Sequence, residues 1–236
     1  MDAAPPAVPA IALKDLKYRW RRNLAPVLSI SHLEIPRGET VFVHGPSGSG
    51  KTTLLGLLGG VIVPQTGTVE VLGHNLGQLR APQRDVFRAD HVGFVFQLFN
   101  LIPYLTVAEN VLLPCRFSHR RRQRASQNGS LRAEATRLLE ALGLGKELIQ
   151  RRATALSVGQ QQRVAAARAL IGGPELLIAD EPTSALDADT RQSFIQLLFA
   201  EARQVGATVI FVSHDGALAD LFQRRVAMAD INRLGG

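Results

Sequence analysis

Apolar residues alternate with polar ones in short stretches over residues 11–16, 27–35 and 40–44, the period of strands with one buried face. Pro36-Arg37-Gly38 breaks the pattern as a turn. An antiparallel β region feeding a buried strand, Val41-Phe42-Val43, is therefore predicted. A glycine-rich loop follows, then helical spacing over 51–59 and strand-like runs at 69–72 and 92–96. Between about 106 and 152 the character changes. Helical periods at 107–113 and 131–142 flank a polar, basic break at 118–130, which predicts an inserted helical subdomain over about 98–158. Helix 160–171, strand 176–179, helix 190–204, strand 208–212 and helix 217–222 then follow. That alternation predicts an α/β fold with a parallel-sheet core. Residues 1–10, rich in Pro and Ala, read as a flexible arm ahead of a single domain over 11–236.

Composition narrows the class. With 46% hydrophobic and 20% charged residues among 236, the chain can bury a large core and is neither disordered nor fibrous. The longest apolar run, residues 54–63, contains three glycines and stops at Pro64, so no segment reads as a bilayer span. The opening residues lack the basic region of a secretory signal. Cys115 stands alone, which matches a reducing compartment, and no Cys/His spacing suits structural zinc. The net charge of +7 is carried almost wholly by arginine, concentrated in 17–22 and 116–124. The plain reading of both clusters is a solvated surface; the second also suits anionic lipid headgroups. Neither alternates with aromatics as a base-stacking platform would, and nucleic acid is not expected as a partner.

Chemistry enters at Gly45-Pro46-Ser47-Gly48-Ser49-Gly50-Lys51-Thr52, followed by Thr53. The spacing is GxxxxGK(S/T), between a predicted strand and a predicted helix. Glycines let successive N–H groups wrap a phosphate, and the helix start turns its positive end to the anion. Lys51 supplies a point charge to the β- and γ-phosphates, and the Thr52 hydroxyl suits Mg²⁺. Four apolar residues, Leu176-Leu177-Ile178-Ala179, then end in Asp180-Glu181, two carboxylates at the C-terminal end of a buried strand. Asp180 suits Mg²⁺; Glu181 suits a base polarising an attacking water.

Leu156-Ser157-Val158-Gly159-Gln160 is similar to the LSGGQ signature of the ATP-binding-cassette (ABC) ATPases, with Val158 in place of the first glycine. The plain alternative is an ordinary serine helix cap. The other family marks follow: Gln97 resembles the Q-loop glutamine, Ser184-Ala185-Leu186-Asp187 the D-loop, and His214 the switch histidine that contacts the γ-phosphate. Trp20 matches the adenine-stacking aromatic, with Tyr18 as the alternative. The resemblance runs from about 11 to 228. It implies a P-loop ABC ATPase fold with an antiparallel β subdomain. It implies ATP hydrolysis with Mg²⁺ held through Thr52, Gln97 and Asp180, and Ser157, Gly159 and Gln160 acting on the nucleotide of a second copy.

Residues 54–60, 93–97, 100–103 and 105–111 resemble one branch, the lipoprotein-releasing, macrolide-exporting and FtsE-type ATPases. Thr183-Ser184-Ala185 departs from the Thr-Gly-Asn usual in lipoprotein-releasing members. The branch implies a peripheral subunit on the cytoplasmic face of the bacterial inner membrane. It would drive a separate permease of the FtsX or MacB kind in export, extraction or mechanotransmission, and could reach a periplasmic adaptor through that permease. An importer ATPase for a small solute and a nucleic-acid-processing ABC ATPase are the alternatives. Apolar residues near Phe99 and Tyr104 suit either the permease groove or the core of the helical subdomain.

Overall fold

The computed structural model describes residues 8–184 and 186–234. Residues 1–7 of the arm predicted over 1–10, and Ala185 of the D-loop motif, lie outside them. The elements run β1 (Ile11–Tyr18), β2 (Leu28–Ile35), β3 (Thr40–His44), α1 (Lys51–Leu58), β4 (Thr66–Val71), β5 (His74–Asn75), α2 (Ala81–His91) and β6 (Val92–Val95). Then come α3 (Val107–Leu112), α4 (Pro114–Phe117), α5 (His119–Ala125), α6 (Leu131–Ala141), α7 (Val158–Leu170), β7 (Leu176–Asp180), α8 (Ala188–Gln204), β8 (Thr208–Val212), β9 (Arg224–Ala227) and α9 (Met228–Ile231).

Two sheets organise these elements. An antiparallel sheet has the order β2-β1-β4-β5, and a parallel one the order β6-β7-β8-β3-β9. Period two explains how the parallel sheet serves two cores at once. Val41 and Val43, Leu176 and Ile178, and Ile210 and Val212 face α1 and the antiparallel sheet. Their neighbours Phe42, Leu177, Ala179, Val209 and Phe211 face the other way, onto α7 and α8. Val107, Val111, Leu138 and Leu139 of α3 and α6 belong to that second core, so the helices between β6 and β7 are packed onto the sheet and not merely attached to it.

Several expectations need correction. The basic break at 118–130 contains α5, capped by Ser118, whose Oγ accepts from the Arg121 N–H. Residues 8–10, assigned to a loose arm, are held: the Ala10 N–H donates to the Ile35 carbonyl, and its carbonyl accepts from Leu72. The helix expected at 217–222 is a 3₁₀ turn, Gly216–Leu221. Helix α2, the short edge strands β5 and β9, and α9 are not among the predicted elements.

The arginine cluster is the largest surprise. Arg121 is buried and donates to the carbonyls of Ile171 (2.7 Å) and Ala169 (2.6 Å), with longer contacts to Arg168 and Val92. It thus satisfies the carbonyls that the end of α7 leaves unpaired. Burial pushes its pKa down to about 10, still cationic at neutral pH. Arg120 and Arg124 pair with Glu175, which also contacts His91 Nδ1 at 3.1 Å. Burial would raise the Glu175 pKa, but the hydrogen bonds from His91 and Arg120 outweigh it and hold it at about 2. These three arginines join α5 to the core and are not a free basic surface. Arg121→Met should cost about 3 kcal/mol through stranded carbonyls, a fall of roughly 6–12 °C in a thermal melt. An unchanged melting temperature would show that α7 ends satisfactorily without it.

Candidate nucleotide site

The phosphate loop springs from β3 at the edge of the two cores. Gly48 and Gly50 have φ of +81° and +97°, where a side chain is strained. A Cβ on Gly50 would also come within 2.6 Å of Leu28 Cδ2, so glycine alone fits where α1 begins. Beside the loop lies a cavity of about 470 Å³. It is lined by Ser47, Gly48, Gly50, Lys51, Thr52 and Thr53, by Gln97, Asp180, Glu181 and His214, and by Trp20 and Val27. Gly45 and Pro46 stand behind it, their carbonyls accepting from Lys51 Nζ at 2.7 and 3.0 Å.

The carboxylates come from the end of β7, at the carboxyl edge of the parallel sheet, where open α/β sheets collect ligands. Thr52 Oγ1 donates to Asp180 Oδ2 at 3.3 Å. Burial raises the Asp180 pKa against the lowering effect of that hydrogen bond; a divalent cation beside it would reverse this. Oxygen donors from Thr52, Asp180 and the Gln97 amide share one cavity, and that donor set fits a hard cation such as Mg²⁺. Glu181 has φ +48°, unusual outside glycine, and its N–H donates to the Val212 carbonyl at 2.9 Å. The kink delivers its carboxylate to His214, with Nδ1 to Oε2 at 2.9 Å. An ionised carboxylate only accepts, so Nδ1 carries the proton and Nε2 is left as an acceptor in the neutral ring.

Of the two candidate rings, Tyr18 is 6% exposed and packs in the core beneath the antiparallel sheet, whereas Trp20 is 57% exposed and lines the cavity. The two meet edge to face at 5.3 Å. Of the two readings, groove or core, Phe99 takes the core, buried with the inserted helices, whereas Tyr104 is exposed.

Ser157, Gly159, Gln160 and Asp187 do not line this cavity. Ser157 and Gln160 form a capping box at the start of α7, so the plain reading of the serine is realised locally. The helix begins at Val158, whose side chain is 49% exposed. Asp187 caps α8: the Thr190 N–H that it accepts holds its carboxyl below the usual range.

Sequence reasoning missed three contributors. Val27 lines the cavity from the base of the Trp20 loop. Arg191 pairs with Asp215, next to His214, and donates to the Leu186 carbonyl at 2.7 Å, tying the start of α8 to the histidine loop. A charged pair 24 positions apart leaves no local signal. Asn232 is the third.

Known proteins resemble this chain in sequence and fold. The ABC transporter family matches residues 28–184. The chain is 39% identical over 206 residues to the lipoprotein-releasing system ATP-binding protein LolD of Bacteroides fragilis, spanning 87% of this chain and 92% of that protein. It is 41% identical over 224 residues to the macrolide export ATP-binding/permease protein MacB of Marinobacter nauticus, spanning 94% of this chain but only 34% of that longer protein. Among solved structures, the dimeric post-hydrolysis ATP-binding cassette MJ0796 bound to ADP and Pi superposes with a TM-score of 0.81 at 36% identity, covering 94% of each chain. The chain belongs to the ABC transporter family, as an ATP-hydrolysing cassette similar to the LolD and MacB branch.

Proposed function

We propose that this cassette works as a pair of identical copies that sandwich two ATP molecules and drive a separate permease in the bacterial inner membrane. One observation carries the reading: the cavity gathers Trp20, the core of the phosphate loop, Gln97, Asp180, Glu181 and His214, but not Ser157, Gly159 or Gln160 of the α7 tip, so one copy holds an incomplete site. The start of α7 is a second anion-binding helix end, and a partner copy would bring it to the γ-phosphate. The dimeric MJ0796 structure supports this arrangement.

Within the site, Trp20 stacks on the base and the N–H groups of 45 and 47–53 surround the phosphates. Lys51 exchanges the Gly45 and Pro46 carbonyls for phosphate oxygens. Thr52, Asp180 and Gln97 hold Mg²⁺, which when bound neutralises charge on the phosphates. Glu181 accepts a proton from the attacking water, and His214, fixed through Nδ1, offers Nε2 towards the γ-phosphate side. Ser157, Gly159 and Gln160 serve the twin's nucleotide, and Asp187 sets the start of α8 at the junction. Residues 98–158 act as a helical subdomain of a domain over 11–236.

No helix among the described residues is long and apolar enough to cross a membrane, so transport by this subunit needs a permease partner. A groove of about 490 Å³ between α2, the Gln97 loop and α4 is lined by Val86, Phe94, Phe96, Pro114 and Phe117. Val86 and Phe117 are largely exposed there. The permease is its proposed occupant, since MacB, an ATP-binding/permease protein, contains a similar cassette within one chain. The groove borders the segment that carries Gln97, which links the membrane partner to the nucleotide. Export, extraction or mechanotransmission, with a periplasmic adaptor reached through the permease, follows from likeness to LolD and MacB.

Sedimentation with a non-hydrolysable ATP analogue and Mg²⁺ tests the pairing. The chain should shift from monomer to dimer, and Val158→Gly should shift at an equal or lower analogue concentration, because the valine points into the closing surface. A chain that stays monomeric at saturating analogue would sink the sandwich.

A further inference from the structure

The helix α9 and the two residues after it have no part in the motifs, yet they reach the phosphate loop. Strand β9 runs parallel to β3, with His44 opposite Ala227. The chain leaving β9 therefore travels alongside the chain entering the loop. Met228 packs against Gly45, where a Cβ would meet the Met228 Cβ at 2.9 Å. One turn later Asn232 uses its whole amide: Oδ1 accepts from the Ser29 N–H at 2.8 Å, and Nδ2 donates to the carbonyls of Val27 at 3.0 Å and Ser49 at 3.3 Å. The adjoining Arg233 N–H donates to the Ser29 carbonyl at 2.9 Å, which fixes the side chain's register on β2.

From this we infer that Asn232 is a positioning residue for nucleotide binding, setting both the direction of the Gly50 N–H and the gap between the Trp20 wall and the phosphate loop. The inference rests on reading the cavity as the nucleotide site. A trans peptide places its C=O and N–H in opposite directions. Holding the Ser49 carbonyl on Asn232 turns the Gly50 N–H away from Asn232, which does not line the cavity, towards Gly50's cavity side. Glycine at 50 leaves this peptide free to flip in the absence of such a tether, since a flip turns on the Ser49 ψ and the Gly50 φ, and Gly50 tolerates either sign of φ. The second donor holds Val27, whose own N–H closes the neck of the Trp20 loop on the Tyr18 carbonyl at 2.8 Å. One NH₂ group thus spans the base wall and the phosphate wall, the two surfaces that one nucleotide must touch together.

The test is ATP binding by calorimetry on the purified chain, with kcat measured in parallel. Asn232→Leu keeps the volume and removes all three hydrogen bonds. It should weaken ATP binding by roughly tenfold, equally at pH 8 and pH 5, while kcat at saturating ATP stays within about twofold. Asn232→Asp keeps the acceptor shape but sets a carboxylate against two carbonyls. It should bind more weakly than the leucine variant at pH 8 and more tightly at pH 5, because two carbonyl acceptors facing the carboxyl favour its neutral form and raise its pKa above the usual range, so that the protonated acid donates again. Both are expressed as ratios to wild type in the same buffer, so that the titration of ATP itself cancels. Should the leucine variant fail to fold, the aspartate variant gives the pH comparison within one sample. Leucine-variant affinity within twofold of wild type, or an aspartate variant that does not recover at pH 5, overturns the inference. Wild-type protein that binds no ATP would overturn the nucleotide site itself, a distinct result.

Discussion

Glu181→Gln is expected to bind ATP normally and fail to cleave it, with kcat lower by roughly 10²–10⁴-fold, the range for losing a general base. The substitution keeps the shape and removes the negative charge that would take the water's proton. Binding survives because Glu181 is not part of the phosphate cradle, and because the kink that aims it is fixed by the backbone bond to Val212. The link to His214 also survives, since Nδ1–H can still donate to an amide oxygen at the same 2.9 Å spacing. Hydrolysis should therefore collapse without a matching fall in ATP affinity, and the ATP-bound dimer should accumulate under conditions in which wild type cycles through it. Phosphate release in single-turnover conditions and size-exclusion chromatography with ATP report the two halves. Wild-type phosphate release from the glutamine variant would remove Glu181 from the role of base and leave His214 or Gln97 to explain catalysis.

The legible parts of this molecule are those with local chemistry. Residues 45–53 announce a phosphate loop because only glycine accepts the φ of Gly48 and Gly50 and only a strand–loop–helix order places Lys51 over an anion. The buried run from Leu176 into Asp180 announces a strand end. The long-range parts were silent. Arg121 sits in a basic run that looks solvated in one dimension, and only folding shows that its guanidinium ends α7. For Phe99 the choice between groove and core stays open in the sequence, because an aromatic after Gln97 carries no periodicity to say which way it turns. In the structure Phe99 and Asn100 both have left-handed backbones, and Arg168 of α7 donates to both carbonyls, so the turn drives the ring inward. Asn232 lies 183 residues from the Ser49 carbonyl it holds, and strand β9 that brings it there is four residues long. Short edge strands draw their stability from their neighbour, here β3, and leave little imprint of their own.

Lys51→Ala should abolish ATP-dependent stabilisation while leaving the fold intact. Lys51 Nζ donates to two carbonyls, of Gly45 and Pro46, at the edge of a solvent-lined cavity. Water can take over both acceptors, so the melting temperature without nucleotide should move by no more than a few degrees. The effect on ATP is far larger, because an ammonium held among backbone dipoles meets the most highly charged end of the nucleotide, and charge-assisted bonds there are about twice as strong as neutral ones. A ligand at 100 times its Kd stabilises the folded chain by about 2.7 kcal/mol, and a loss of 100-fold in affinity removes most of that shift. Thermal melts with and without Mg-ATP read this directly, and phosphate release should fall to background. Lys51→Arg separates charge from fit: guanidinium keeps the charge but is planar and wider than the ammonium that the loop encloses, so it should recover only part of the stabilisation. An alanine variant whose melt rises with ATP as much as wild type would remove Lys51 from the phosphates and, with it, the reason for the loop's glycines.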